Sequence, residues 1–391
     1  MAIDEDWKMN EGNSLRKLSG INILVIQKMG TVGGAEKNLE RILGYFMNKF
    51  SFNATIYGPG EGPFFREMDL GGVPTVRGPL PDWRKGKSII FRYLARRKMI
   101  LSLSSRPVDL VYVNDFFYAP YGVALGKAMK CPVVVHIQSD SQEKRVSQYH
   151  LNQADAVIVT TKSTYDRLKP SFSSQTILEY IPNGVPSSNN YLNDLSRHSS
   201  EMPPQSSPIK FGIVANILPH KGIECMMHVM EELKEIDGWE LHWAGNDPQS
   251  LLPSLKVKIE SMNLSGRVFF HGFIDRMDSF YESLDCLIHP SQFEPFGLAM
   301  IEAMSYGIPV LATATEGGKE ILGSVENGQW LVPVDDWLSI TERLKQFISN
   351  PSLLYQSRSM FRDEFEKKYD FDVMGKKLED IFSRVLRRFS Q

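Results

Sequence analysis

KFGIVANILPHKGIECMMHVMEELKE, residues 210–235, holds the pattern that decides the fold. Residues 210–215 form a short apolar run of strand length, residues 216–222 a turn punctuated by Pro219 and Gly222, and residues 222–235 repeat apolar side chains at helical spacing. A strand feeding a helix through a short loop is half of a βαβ unit, and the alternation extends in both directions. Downstream, strands are expected at 241–244, 268–271, 286–289 and 310–313, with a helix over roughly 298–306. Upstream, strands are expected at 21–27, 110–113, 133–137 and 156–160. The fold class is therefore α/β with parallel strands and crossover helices.

A chain of 391 residues exceeds what one hydrophobic core usually organises. Residues 186–208, PSSNNYLNDLSRHSSEMPPQSSP, lose all apolar periodicity and read as a linker. The expected division is a polar tail over 1–20, an N-terminal domain over 21–185, the linker, a second domain over 209–370, and a C-terminal helix over 371–391 packing back toward the N-terminal domain. Two doubly wound halves would face each other across a cleft, with ligands at the carboxyl ends of their strands.

Composition narrows the function classes. Forty-four basic residues against forty-six acidic ones leave a net charge of -2, so nucleic acid is not an expected partner and any anion site must be local. Three cysteines, Cys131, Cys225 and Cys286, form no C-x-x-C pair, which fits a reducing compartment and no structural zinc. Residues 1–20 lack the apolar core of a signal peptide, and no apolar run reaches membrane-spanning length. The expected location is the cytoplasm, or the cytoplasmic face of a membrane. Two D-x-D matches, Asp4-Glu5-Asp6 and Asp370-Phe371-Asp372, lie in a polar tail and near a terminal helix, so no metal site is expected.

The strongest chemical signal is Glu294-Pro295-Phe296-Gly297-Leu298-Ala299-Met300-Ile301-Glu302, after the expected strand at 286–289. With a helix starting near Gly297, Glu294 stands in the loop before it and Glu302 on its second turn, at most about 12 Å away at about 1.5 Å per residue. That is too far for a paired acid/base dyad but suits a grip on both ends of an elongated ligand, with a diphosphate on the helix amides between. Otherwise the segment is a helix N-terminus with one solvated glutamate. Asn216-Ile217-Leu218-Pro219-His220-Lys221-Gly222 puts a lysine at a strand end and helix start, either a phosphate contact or a solvated turn residue. Gly33 and Gly34 open a helix after the strand at 21–27, as a tight turn or a close approach to a phosphate. His136 ends the apolar run Val133-Val134-Val135, as a structural or a site histidine.

Together these residues resemble the retaining glycosyltransferases of family four, which have the GT-B architecture of two Rossmann-like domains facing across a cleft. The matching pieces are GGAE at 33–36, VVVH at 133–136, IPNGV at 181–185, HKG at 220–222, HGF at 271–273, EPFGLAMIE at 294–302 and EGGKE at 316–320. The resemblance implies that Glu294 contacts the transferred sugar, Glu302 the nucleotide ribose and Lys221 the diphosphate. It further implies that His136 lies near the sugar, that Gly33 and Gly34 face the phosphates, and that Phe273 and Ile274 flank the base. Phe296, Gly297 and Leu298 would offer backbone amides to the phosphates, and Gly317 and Gly318 would approach the donor. Asn216 departs from the pattern, because the family commonly has an arginine there; phosphate neutralisation then falls to Lys221, helix dipoles or Arg276.

The activity implied is metal-independent transfer of a sugar from a UDP- or GDP-linked donor to a saccharide or lipid-linked hydroxyl, in polysaccharide or glycolipid synthesis, with no cofactor beyond the nucleotide sugar itself. Rival readings are a phosphorylase, a sugar-nucleotide epimerase or a non-catalytic nucleotide-sugar-binding subunit. Residues 84–98, RKGKSIIFRYLARRK, contain seven basic and no acidic side chains among five bulky apolar ones. They read either as a solvated helix face or as a peripheral contact with an anionic membrane.

Overall fold

NILVI at Asn22–Ile26 (β1) starts a parallel sheet, its last four side chains buried, as a strand covered by helices on both faces requires. The same unit adds β2 (Asn53–Gly58), β3 (Thr75–Arg77), β4 (Leu110–Asn114), β5 (Val133–Ile137), β6 (Ala156–Val159) and β7 (Ile177–Tyr180). They form a seven-stranded sheet in the order β3-β2-β1-β4-β5-β6-β7. A second sheet takes β8 (Ile209–Val214), β9 (Trp239–Ala244), β10 (Val268–Gly272), β11 (Cys286–His289), β12 (Val310–Thr313) and β13 (Leu331–Val332). Its six strands run β10-β9-β8-β11-β12-β13. Every pairing within both sheets is parallel.

This computed structural model describes residues 18–83, 89–139, 141–188 and 207–389. Most of the polar tail, residues 84–88 of the basic segment and most of the linker lie outside the described residues. The chain divides into Met1–Asn183 with Asp372–Gln391, and Gly184–Phe371. Both units have the α/β architecture of the GT-B fold.

Four strands, β2, β3, β7 and β13, are absent from the sequence reading. β3 and β13 are sheet-edge strands of three and two residues, too short to carry a period. β2 alternates only partly, and β7 keeps one buried residue in four.

In the second unit the helix Ile223–Leu233 buries Met226, Met227, Val229 and Met230 against the sheet. In the first, the C-terminal helix Phe371–Phe389 buries Met374, Leu378, Ile381, Phe382 and Val385 at spacings of three and four residues. The Phe382 ring lies 4.8 Å from Phe46 on the helix Gly34–Phe50, and Tyr45 and Lys49 bond Glu379 at 2.5 and 2.6 Å. Gly375 permits this approach, since a Cβ there would lie 2.6 Å from the Tyr45 ring. At about 1.5–3 kcal/mol per buried large side chain, this stripe ties residues 372–389 firmly to the first unit. No described helix is long and apolar enough to cross a membrane.

Strand order reverses once in each sheet, between β1 and β4 and between β8 and β11. Such switch points leave a crevice outside the carboxyl ends of the strands, because successive loops diverge to opposite faces there. Lys221, Glu294 and His136 follow or end strands beside these two places.

Candidate active site

In the second unit three loops meet beyond the β8/β11 switch point. The loop after β8 is first tied to the loop after β9: the Ile217 amide donates to the Asn246 carbonyl at 2.7 Å, and Asn216 Oδ1 accepts from the Asn246 amide at 3.1 Å. A short 3₁₀ turn, Pro219–Lys221, then ends at Gly222 with φ of +82°. Only glycine fits there, since a Cβ would stand 2.1 Å from the Pro290 carbonyl oxygen. The Gln292 amide donates to the His220 carbonyl at 2.9 Å, closing the seam between this loop and the one after β11.

The seam brings Lys221 to Glu294. Lys221 Nζ donates to Glu294 Oε2 at 2.8 Å, and His289 Nε2 stands 3.1 Å from the same oxygen. An ionised carboxylate only accepts, so the His289 proton sits on Nε2. Both members of the ion pair are mostly buried, with side chains 19% and 14% exposed. Burial alone would raise the Glu294 carboxyl; the His289 hydrogen bond and the His289 and Lys221 charges overcome it and hold the group at about 2. A depressed carboxyl stabilises the fold fully above the ordinary carboxylate range, and that contribution is lost as pH falls through about 2. Glu294 is therefore an anion at neutral pH.

The third loop, after β12, holds the Glu294 backbone. Thr313 Oγ1 donates to the Ser291 carbonyl at 2.5 Å, and the Gly317 amide donates to the Glu294 carbonyl at 2.8 Å. A Cβ on Gly317 would lie 2.0 Å from the Phe296 carbonyl oxygen, so the EGGKE glycines pack a helix start against the glutamate loop. Phe296 itself is a core side chain at 3% exposure. Gly297, at φ +101°, turns the chain into the helix Leu298–Ser305, whose first amides have no partner within the helix. Glu302 sits on its second turn, where its Oε2 accepts from the Tyr281 hydroxyl at 3.0 Å. Phe273, exposed, and Ile274, half-buried, follow β10, two strands from the switch point.

In the first unit, Gly33 caps the helix Gly34–Phe50, and its amide donates to Glu36 Oε2 at 3.1 Å. Glu36 Oε1 accepts from Gln27 Nε2, and Gln27 Oε1 from Asn114 Nδ2, each at 2.9 Å. His136 lies inside β5 and is fully buried. Its Nδ1 is 2.6 Å from the Tyr112 hydroxyl and 3.2 Å from Gln138 Nε2. An amide nitrogen can only donate, so Nδ1 accepts and the proton belongs on Nε2. Burial lowers the imidazole to about 3 and keeps it neutral. Asn38 donates to Asn183 at 2.9 Å, and Asn183 to Gln138 at 3.2 Å, so a run of amides fixes this tautomer. The Nε2 proton has no acceptor among the described residues.

The sequence reading named Lys221 and Glu294, which meet directly, Gly297 and Leu298 at the helix start that follows, Glu302, which bonds Tyr281 from that helix's second turn, and Gly33, Gly34 and His136 in the other unit. It missed His289, which CLIHP offers only as the last residue of a strand, and the Gln138–Asn183 relay. Among the described residues no three His, Cys, Asp or Glu side chains gather as metal ligands.

Residues 197–368 match the family model for glycosyl transferases group 1, and residues 32–189 the model for glycosyltransferase family 4. An uncharacterized glycosyltransferase of Methanocaldococcus jannaschii is 27% identical over 43% of this chain, and the match spans only 43% of that protein. The O-antigen biosynthesis glycosyltransferase WclY of Escherichia coli is 24% identical over 78% of this chain and 84% of its own length. N-acetyl-alpha-D-glucosaminyl L-malate synthase of Bacillus anthracis is 21% identical over 67% of this chain and 70% of its own. Among solved structures, Anabaena Alr3699/HepE in complex with UDP-glucose superposes with a TM-score of 0.73 at 19% identity, over 93% of this chain and all of that one.

Proposed function

Because the chain belongs to the family-four glycosyltransferases of GT-B fold, we propose that it moves a sugar from a UDP- or GDP-linked donor to a saccharide or lipid-linked hydroxyl, with retention and without a metal. The observation that carries this reading is the Lys221–Glu294–His289 cluster beside the start of the helix Leu298–Ser305. The HepE complex with UDP-glucose supports the donor class, and WclY, acting in O-antigen synthesis, supports a role in surface polysaccharide.

A lysine and the amides at a helix start suit a diphosphate, and they stabilise the negative charge that builds on it as the sugar leaves. Glu294, ionised throughout the neutral range, takes no part as a proton donor. It accepts sugar hydroxyls and stabilises positive charge developing at the anomeric carbon. The bond from that carbon to the phosphate oxygen breaks as the bond to the acceptor oxygen forms on the same face, and the acceptor proton passes to the departing phosphate. His136, buried and neutral with its Nε2 proton lacking an acceptor among the described residues, is the first-unit group read as lying near the sugar. Phe273 and Ile274 border the base, and Asn216 leaves Lys221 as the principal cation.

Following the reaction by proton NMR in EDTA tests this. Expected are one nucleoside diphosphate released per sugar transferred and an unchanged anomeric configuration. Inversion, a requirement for inorganic phosphate, or sugar isomerisation without nucleotide release would reject it in favour of another class.

A lipid-linked acceptor gains support from the helix Ile89–Leu103. It buries only Ala95, Met99 and Leu103, while Ile89 and Ile90 are 76% and 71% exposed and Phe91, Tyr93 and Leu94 more than half exposed. Bulky apolar groups beside Arg92, Arg96, Arg97 and Lys98 suit an anionic bilayer surface. Co-sedimentation with phosphatidylglycerol vesicles at low salt, reduced by Ile89→Ser/Ile90→Ser, is expected; equal sedimentation with neutral vesicles would contradict it.

A further inference from the structure

Glu294 Oε2 takes two donors, Lys221 Nζ at 2.8 Å and His289 Nε2 at 3.1 Å, while Oε1 takes no hydrogen bond among the described residues. We infer that His289 is a positioning residue, which keeps Glu294 in place for the sugar once Lys221 has turned from the carboxylate to the diphosphate. This rests on the glycosyltransferase reading and gives each member of the cluster its own moment in the reaction.

A carboxylate oxygen carries two lone pairs, so the two donors fill Oε2 and leave both lone pairs of Oε1 for ligand hydroxyls. The donors differ in what they can do next. Lys221 holds its ammonium on a flexible four-carbon stem, with a side chain 19% exposed, and can swing to a second anion. His289 cannot follow. It is the last residue of β11, 3% exposed and in register with Ala312 of β12. Thr313 Oγ1 donates to its carbonyl at 3.2 Å and to the Ser291 carbonyl at 2.5 Å, so the neighbouring strand fixes the backbone that carries the ring. Ser291 Oγ adds a polar contact to the same Nε2 at 3.3 Å.

Burial makes the imidazole necessary. Lys221, from the loop after β8, and His289, from β11, are the charged or titratable groups that act on the Glu294 carboxyl. The loop after β12 presents the Gly317 amide to the Glu294 backbone, and Glu302, on the helix that follows, bonds Tyr281 instead. With Lys221 withdrawn and a diphosphate close by, burial and like charge both push Glu294 toward its protonated form. A neutral carboxyl would no longer stabilise positive charge at the anomeric carbon. The His289 N–H is the bond that still opposes this, and it anchors Oε2 so that Oε1 is the oxygen presented to the sugar.

A double-mutant cycle on UDP and GDP affinity, measured by calorimetry on the full-length protein, provides the test. His289→Phe keeps a ring of similar size and removes the donor, so nucleotide binding then strands the carboxylate. Affinity is expected to fall roughly tenfold to hundredfold, although His289 itself is not placed against the nucleotide. With Glu294→Gln also present no anion is left to strand, and His289→Phe should change affinity by less than about threefold. His289→Gln, whose amide nitrogen reaches the Nε2 position, should recover most of the loss. His289→Asn, too short to reach Oε2, should repeat the loss with a smaller side chain should phenylalanine not fit. Equal affinity in the unmodified protein and in both donor-less variants would mean that Lys221 serves both anions at once, and overturns the inference. A loss that persists alongside Glu294→Gln, or that His289→Gln shares, overturns it too, since His289 would then only shape the loop. Each of these results leaves nucleotide binding by the unmodified protein intact; absence of that binding overturns the donor reading beneath.

Discussion

Glu294→Gln is expected to cut kcat by roughly 10²–10³, while affinity for free nucleoside diphosphate stays level or rises slightly. Glutamine keeps the shape and a hydrogen-bond acceptor but removes the anion. What is lost is charge placed where the anomeric carbon becomes positive, an interaction stronger in the transition state than in the ground state. Affinity for the diphosphate is spared because Lys221 Nζ, held 2.8 Å from Glu294 in the free protein, no longer has to leave a carboxylate to meet a phosphate. A kcat within threefold of the parent would remove Glu294 from the reaction. A large fall in nucleotide affinity would assign it to the nucleotide instead of the sugar.

Lys221→Met should act on both stability and binding. It strands an ionised carboxylate that is 14% exposed, and breaking one side of a buried pair costs about 3–5 kcal/mol. His289 remains 3.1 Å from the same oxygen, so the lower end of that range, about 3 kcal/mol, is expected in denaturant melts. Nucleoside diphosphate affinity should fall a further tenfold to hundredfold with the lost charge-assisted bond, about 1.5–3 kcal/mol. Adding Glu294→Gln should restore most of the stability and none of the affinity. Strictly additive destabilisation would mean that the two side chains do not sense each other.

What the sequence made legible follows from range. KFGIVA and its HKG loop announce strand, turn and helix through neighbours alone, and so do EPFGLAMIE and the run VVVH. Lys221 and Glu294, 73 positions apart, could be placed together because both follow strands and doubly wound sheets gather their loops at one edge. His289 escaped because nothing local separates a strand-end histidine that bonds a carboxylate from one that merely ends a strand. Nothing local to EGGKE announces that Gly317 packs against the glutamate loop, where its Cβ would lie 2.0 Å from the Phe296 carbonyl oxygen. The amides that fix the His136 tautomer come from positions 38, 138 and 183, and only the closed sheet brings them into a line.

One titration bears most directly on the donor assignment: UDP and GDP added to the full-length protein in EDTA and followed by calorimetry. Saturable binding of one of them to a single site, weakened at least tenfold in Lys221→Met and retained in Glu294→Gln, is the predicted result. No heat from either nucleotide, or binding of equal strength in Lys221→Met, would contradict it.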